Sequence, residues 1–375
     1  MQKHDLITSL PSTLSCIVLR EWLSLKSVMV LDSAYCYHSH RSGFLGFLQS
    51  NEYFIREKAI INADVLMNLN EFSILEKMGE KLRSVKFVYK RNWSSIEPVQ
   101  NRVVTFCRNL THVHFSTAEC GGLDVQTLLK SNANIESLKL SDFSEDMANF
   151  PGCVRDVELP KLNTLVLKNF ELRSADIVRV IEAGKVTRLN LSWSRFTESD
   201  LLQIVRACHR LTALVLSSIN VEPITHDVLC CCCHIEHLNI SDVDITDAEL
   251  LSVVQNLKGL QSLNIIDSPR LTDASLVHIY THRVETMNTL MLGSNILRGP
   301  LFSADAINTL LERCTHLRTL HLRERSTDML PFSFNSAAVC NLTTLAIGGD
   351  TVTEQNIAII GTHGLNLQVL EIDPK

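Results

Sequence analysis

The sequence predicts an α/β solenoid of short strands alternating with helices, preceded by a small helical module. Three observations support this: an apolar pattern that returns twelve times, helical spacing with N-capping residues between its copies, and a different apolar spacing in the first fifty residues. The chain has 375 residues, of which 45% are apolar and 20% charged. This composition is typical of a folded protein with a sizeable core rather than of a disordered chain.

The repeated pattern is six residues long, with apolar residues at its first, fourth and sixth positions and variable residues between them. Its middle position moves from Val85 to Leu370 in eleven steps, so the mean period is about 26 residues. Because alternate side chains of a strand face the same side, the second and third apolar residues face one core. The twelve middle residues are Val85, Val113, Leu138, Leu165, Leu189, Leu214, Leu238, Leu263, Leu290, Leu320, Leu345 and Leu370.

Helices are predicted between the strands. Residues 247–257 carry four apolar side chains at helical spacing, which are Leu250, Val253, Val254 and Leu257. Four helix starts carry a threonine cap, two of them as capping boxes. The capping boxes are Thr197 with Asp200 and Thr246 with Glu249, and the simpler caps are Thr272 and Thr353. Each repeat is therefore a strand, a turn, a capped helix and a return.

The strand pattern Leu-x-x-Leu-x-Leu resembles the leucine-rich repeat. Segments 196–211 and 245–251 are similar to its cysteine-containing subtype. The resemblance covers residues 80–375 and implies a right-handed horseshoe that binds other proteins on its concave face. Cysteines fall two or three residues before the next strand at Cys107, Cys208, Cys233, Cys314 and Cys340. Apolar residues are expected to fill the strand-to-helix turn at Phe143, Phe170, Ile219 and Val243.

Residues 1–55 are predicted to form a module distinct from the solenoid of residues 56–375. Its apolar residues have helical spacing, and Pro11 suits a first helical turn. Leu10-Pro11, the apolar positions that follow, Val28 and Cys36 resemble an F-box. The resemblance implies docking on the Skp-type adaptor of a cullin–RING ubiquitin ligase through Leu10, Pro11, Leu14, Ile17 and Val28. Leu14 and Ile17 suit the core of the module equally well.

The order of the two regions implies a substrate-recognition subunit of such a ligase, in which the repeats hold the protein target. The alternative is a leucine-rich-repeat scaffold whose N-terminal helices only cap the first repeat, because a solenoid would otherwise expose an apolar end. No catalytic or phosphate-binding motif occurs in the sequence, so we expect no enzyme activity, no catalytic residue and no cofactor.

Two cysteine- and histidine-rich segments were weighed as metal sites. Residues 230–234 read Cys-Cys-Cys-Cys-His, but adjacent residues of a helix point about 100° apart and do not converge on one ion. The segment with Cys36, His38 and His40 has no partner pair elsewhere in the sequence. We therefore expect core and surface cysteines, and no metal.

The outward-facing strand residues form a polar ladder with modest positive charge. The positions expected to bind a protein partner are Lys139, Lys168, Arg188, Asn190, Trp193, His237, Asn239, Asn264, His321, Arg323 and Arg325. Trp193 is the aromatic candidate, because tryptophan and arginine are common in interface hot spots, and the alternative is that it packs in the turn after its strand. The densest basic group, around Arg318 and His321, suits an acidic or phosphorylated substrate segment. The alternative for this group is an ordinary solvated surface.

The charge balance argues against nucleic acid as a partner, since 35 Lys and Arg stand against 41 Asp and Glu, giving a net charge of −6. No stretch is long and apolar enough to predict a membrane span, and the N-terminal apolar run lacks a cleavage site. We expect a cytosolic or nuclear protein. The Asn-x-Ser/Thr sequences at Asn190 and Asn239 are then chance matches to a glycosylation signal.

Overall fold

The apolar residues of the repeat line the inner side of short parallel strands. The computed structural model describes residues 82–88, 105–116, 125–141, 154, 157–219, 231–293, 302–324, 333–349 and 352–373. The chain divides into one unit of Met1–Phe170 with Arg179–Lys185 and a second of Glu171–Val178 with Val186–Lys375. The boundary predicted near residue 55 lies outside the described residues and stays a prediction.

The described residues of the first unit form four strands that pair in parallel in chain order. They are β1 (Ser84–Val88), β2 (His112–Ser116), β3 (Ser137–Ser141) and β4 (Thr164–Leu167), with α1 (Val125–Lys130) between β2 and β3. Asn132 ties neighbouring repeats, since its Oδ1 accepts the N–H of Leu110 at 2.8 Å and its Nδ2 donates to the carbonyl of Cys107 at 2.9 Å. A buried amide thus satisfies backbone groups that the short turn leaves without partners.

Where the second unit is described it forms eight strands, each paired in parallel with the next along the chain. They are β5 (Arg188–Asn190), β6 (Ala213–Val215), β7 (His237–Asn239), β8 (Ser262–Asn264), β9 (Thr289–Gly293), β10 (Thr319–Glu324), β11 (Thr344–Gly349) and β12 (Val369–Asp373). The residues of α2 (Ser174–Ala183) are divided between the two units. The described helices of the second unit are α3 (Glu198–Ala207), α4 (Asp247–Asn256), α5 (Asp273–His282), α6 (Ala304–Arg313), α7 (Ser336–Val339) and α8 (Glu354–His363).

The predicted repeat is confirmed, because each of its twelve copies coincides with one strand. The register pairs equivalent positions, so that Leu214 lies beside Leu189 and Leu238 on the adjacent strands. These leucines are fully or almost fully buried. Burial of one such side chain contributes about 2 kcal/mol, and the repetition of that contribution stabilises the ladder. The fold is that of an α/β leucine-rich-repeat protein.

The predicted helix starts are also confirmed. Thr197 and Thr246 form capping boxes with Asp200 and Glu249, and Thr272 caps α5. Thr353 caps α8 in the same way. The four apolar residues predicted to share the inner face of α4 and its C-cap are all buried, namely Leu250, Val253, Val254 and Leu257. None of the helices in the described ranges is long and apolar enough to cross a membrane.

The turns after the strands are filled as predicted where they are described. Phe170, Ile219 and Val243 are buried there, whereas Phe143 lies outside the described residues. Cys208 is buried before the next strand, and its carbonyl accepts the N–H of Leu211 at 3.0 Å. Equivalent hydrogen bonds run from the N–H of Leu317 to the carbonyl of Cys314 and from the N–H of Ile235 to the carbonyl of Cys232.

One cysteine assignment needs correction. In the four-cysteine run the buried turn position belongs to Cys232, and Cys233 is exposed. The turn is closed by a hydrogen bond between residues three positions apart, in which the N–H of Ile235 donates to the carbonyl of Cys232. Cys233 is only two residues before Ile235 and therefore does not occupy this position. Cys340 has the same short spacing and is only half-buried, while Val339 takes the buried position.

The burial of these thiols predicts their reactivity. Burial raises the pKa of Cys208 to about 12 and that of Cys314 to about 11, so neither forms a thiolate at neutral pH. In native protein, maleimide should label Cys231 and Cys233 at least about tenfold faster than these two. Peptide mapping by mass spectrometry measures the rates, with urea-unfolded protein as control. Equal native rates at Cys208 and Cys233 would show that the turn is open.

Candidate protein-binding surface

Strands β5–β8 of the second unit present one side to the buried leucines and the other to solvent, and we call their solvent side the open face. Arg188 on β5 and His237 on β7 are exposed, while Asn190, Asn239 and Asn264 are half-buried at the third position of their strands. The remaining outward positions are Ala213 and Val215 on β6 and Ser262 on β8. These eight strand positions carry no carboxylate, although the chain as a whole is acidic.

The three asparagines are held in one orientation by the turn that follows each strand. Their Oδ1 atoms accept a backbone N–H from two residues further along the chain, which occupies the acceptor end of the amide. The bonds run to Asn190 from Ser192 at 2.9 Å, to Asn239 from Ser241 at 3.0 Å and to Asn264 from Ile266 at 3.1 Å. An amide whose oxygen is engaged in this way presents its NH₂ donors elsewhere.

These bonds also explain two apparent glycosylation signals. The hydroxyls of Ser192 and Ser241 donate to the same Oδ1 atoms of Asn190 and Asn239, at 2.6 and 2.8 Å. Asn-x-Ser is therefore a turn motif of this repeat. This role of Asn was not predicted from the sequence, although the recurrence of Asn at one strand position was a visible signal.

Trp193 lies in the turn after β5 and is 62% exposed. Its φ of 64° is left-handed, as are those of the residues at the same repeat position, Ser218, Asp242 and Asp267. Short polar residues tolerate this conformation, but a bulky side chain there is an outlier that costs about 1 kcal/mol. Packing in the turn does not explain this tryptophan, because most of its side chain is in solvent.

The other predicted contact residues are dispersed. Lys139 on β3 is exposed and Lys168 after β4 is half-buried, and both belong to the first unit. His321 is half-buried on β10 and Arg323 belongs to the same strand. Arg325 lies outside the described residues, as do the implied adaptor contacts Leu10, Pro11, Leu14, Ile17 and Val28.

Arg318 and Arg313, near the C-terminal basic group, both contact other parts of the fold. The Nη1 of Arg318 donates to the carbonyls of Thr315 and Asn341 at 2.7 and 3.3 Å, so this guanidinium ties two repeats together. The guanidinium of Arg313 lies over the ring of Tyr280, 4.9 Å from its centroid. Both side chains therefore contribute to repeat packing.

The described part of the chain offers no group of three or more His, Cys, Asp or Glu side chains placed to hold a metal ion. In the cysteine-rich segment, Cys232 points into the core while Cys231, Cys233 and His234 are exposed. Cys230, Cys36, His38 and His40 lie outside the described residues.

Comparison with solved structures returns leucine-rich-repeat proteins. The structures include the leucine-rich-repeat-containing protein LegL7 from Legionella pneumophila (15% identity, 82% of this chain and 88% of that one, TM-score 0.44). An internalin, inlF, from Listeria monocytogenes has 15% identity over 96% and 92% of the two chains, with a TM-score of 0.47. The complex of Rad7 and Elc1 from yeast has 14% identity over 96% and 91%, with a TM-score of 0.57.

The likeness to the structure from yeast agrees with the fold derived above from repeat and register. No protein-family model matches the chain, and the comparison with curated proteins gives no match. The chain thus has the α/β leucine-rich-repeat fold, which displays an extended surface for binding other proteins.

Proposed function

We propose that the chain is the substrate-recognition subunit of a cullin–RING ubiquitin ligase of the Skp–cullin–F-box type. The observation that supports a binding role is the open face of β5–β8, where polar side chains stand on a hydrogen-bonded ladder of parallel strands. Such a surface is rigid before the partner arrives, so little conformational entropy is lost on binding. The chain itself would carry no chemistry and would bring the target to the transfer machinery.

The adaptor-binding part of the proposal is supported by the sequence of residues 1–55. Leu10-Pro11 and the apolar positions after it resemble an F-box, and this segment precedes the repeats as it does in F-box proteins of this class. Rad7, whose fold is similar, was solved in complex with Elc1. By analogy, the repeat array of this chain would also assemble with a second protein, in the cytosol or the nucleus.

The test is retention of the adaptor by the full-length chain. Purified chain should bind a Skp-type adaptor and, through it, a cullin, and Leu10→Ala/Pro11→Ala should weaken binding at least about tenfold, because apolar anchors dominate such interfaces. The matched control is Ser12→Ala/Thr13→Ala, which changes two neighbouring residues that the resemblance does not assign to the contact. Pull-down and biolayer interferometry measure the retention.

Circular dichroism shows that each variant keeps its folded repeats. Loss of adaptor binding only in the Leu10/Pro11 variant supports the ligase role. No binding by the unaltered chain would overturn it and leave the N-terminal helices as a cap of a scaffold.

A further inference from the structure

We infer that the open face of β5–β8, with Trp193 at its edge, binds an extended acidic segment that carries one aromatic or aliphatic side chain. This inference rests on the proposed function only in that the segment would belong to the substrate. It goes further by naming the chemistry of the segment and the residues that select it.

The first argument is the supply of hydrogen-bond donors. Asn190, Asn239 and Asn264 have their oxygens engaged by turn N–H groups, so their NH₂ groups are what they offer to a partner. Arg188 and His237 stand two residues earlier on the same strands as two of these asparagines and are exposed. A surface that offers donors and a guanidinium, without a carboxylate on its strands, complements acceptor oxygens.

The second argument is the spread of these donors. The strands β5–β8 are consecutive in the ladder, so the donors extend over three strand intervals, or about 14 Å. A single phosphate group is too compact to reach donors so far apart. Carboxylates spaced along an extended chain reach them, because such a chain advances about 3.3 Å per residue. The geometry therefore favours an unmodified acidic segment over one phosphorylated residue.

The third argument is Trp193. A bulky residue in a left-handed turn costs free energy, and the equivalent Ser218 shows that a small residue fills the same turn. An indole that is 62% exposed leaves most of its apolar surface in solvent, so it brings the fold little compensating burial. Burial of its ring against an aromatic or aliphatic side chain of a partner would supply about 2 kcal/mol. Trp193 is then the anchor of the docked segment.

Charge on the neighbouring turns sets the position of the segment. Asp242 and Asp267 occupy the turn after β7 and the turn after β8, so carboxylates of a partner are repelled from that edge. Arg188 and His237 lie at the opposite ends of their strands. The carboxylates of the segment therefore approach the asparagine NH₂ groups from the side of the strand starts, and its apolar residue lies toward the turn that carries Trp193.

The experiment is an unbiased peptide selection on the full-length chain. A display library of random 12-residue peptides is selected at 0.15 M salt, and enriched peptides are measured by fluorescence anisotropy. We expect enriched peptides to contain several Asp or Glu and one aromatic or aliphatic residue. Asn239→Asp keeps the oxygen that accepts from Ser241 and replaces the donor with a negative charge, so it should weaken binding at least about tenfold.

The other variants separate binding from folding. Trp193→Ser installs the residue type of the next repeat, and we expect about tenfold weaker binding with unchanged or higher stability. Asn256→Asp, at the exposed end of α4, adds the same charge away from the open face and is the matched control. It should leave peptide affinity within about twofold.

Each outcome decides the inference. It is overturned if no peptide is enriched, if the enriched peptides are basic or uncharged, or if Asn239→Asp weakens binding no more than Asn256→Asp. A chain that retains the adaptor but fails these tests loses this inference and keeps the proposed function. A chain that selects acidic peptides but never retains the adaptor keeps the docking surface and loses the ligase role.

Discussion

Replacing Arg283 with methionine should lower the free energy of unfolding by about 3 kcal/mol. Arg283 follows α5 and is only 9% exposed. Its Nε donates to the carbonyl of Val254, and its Nη1 donates to that of Lys258 at 2.9 Å. Because α4 ends at Asn256, the carbonyl of Val254 is among those that the helix itself leaves without a partner. Methionine fills similar space and donates nothing, so two carbonyls lose their donors.

The guanidinium is suited to this place by its charge as well as its shape. Burial lowers the pKa of Arg283, but a guanidinium stays protonated in proteins. The C-terminal end of α4 offers partial negative charge, which interacts favourably with a cation in its last turn. The side chain of Arg283 therefore caps the C-terminal end of α4 and links two consecutive repeats.

Urea unfolding followed by circular dichroism measures the loss. Arg283→Lys keeps the charge but lacks the planar fork that reaches two carbonyls, so we expect roughly half the effect. The matched control is Arg270→Met, since Arg270 is exposed and its pairing with Asp244 at 3.6 Å is worth less than about 1 kcal/mol. If Arg283→Met and Arg270→Met unfold at the same urea concentration, the inter-repeat cap has no energetic role.

The strands and helices were predictable because they depend on local spacing. Alternation at residues such as Leu189 and Leu191 specifies which side of a strand is buried, and Thr246 before Glu249 specifies where a helix starts. Both signals are contained within a few residues of sequence. The parallel order of the strands follows, because each repeat buries its apolar side only against its neighbours.

The uses of individual polar side chains were not predictable in the same way. Arg318 was assigned to a basic group that could be either a site for an acidic segment or an ordinary solvated surface, but its donors find carbonyls of its own turn and of the next repeat. The positions of such carbonyls depend on the register between repeats, which a single repeat does not encode. The left-handed conformation of Trp193 was likewise hidden, since the sequence does not reveal the backbone angles of its turn.

The sequence predicted which residues lie on the open face, but not the hydrogen bonds that their side chains form. Asn190, Asn239 and Asn264 were correctly placed on outward strand positions, yet their oxygens proved to be engaged by the turns. This distinction matters for function, because it leaves these side chains as donors. The same residue type at an unconstrained position would accept as readily as it donates.

Replacing Asp247 with alanine should destabilise the second unit by about 2 kcal/mol. Asp247 begins α4, and its carboxylate accepts the N–H of Thr272 at 3.0 Å and the hydroxyl of Thr272 at 2.7 Å. It also accepts the hydroxyl of Ser275 in the first turn of α5. The carboxylate thus lies between the N-terminal ends of two consecutive helices, where negative charge is favourable. Alanine removes an acceptor shared by three donors.

The pH dependence of this contribution follows from the pKa of the carboxyl. Partial burial alone would raise the pKa of Asp247, but the hydrogen bonds from Ser275 and Thr272 outweigh it and hold the pKa below its usual value. The stabilisation is therefore complete above the unfolded pKa of about 3.9 and is lost as pH falls through the lower folded pKa. Asp247→Asn, which keeps one acceptor oxygen, should lose about 1 kcal/mol at pH 7.

Urea unfolding at pH 7 and near pH 3 separates these effects. The difference between the unaltered chain and Asp247→Asn should shrink at the lower pH, because protonation removes the same charge from the unaltered chain. Asp305→Asn is the matched control, since Asp305 is exposed in the first turn of α6 and loses only its interaction with the helix dipole, about 0.5 kcal/mol. Equal losses in the two variants at pH 7 would show that the carboxylate of Asp247 stabilises α4 alone and does not join the two repeats.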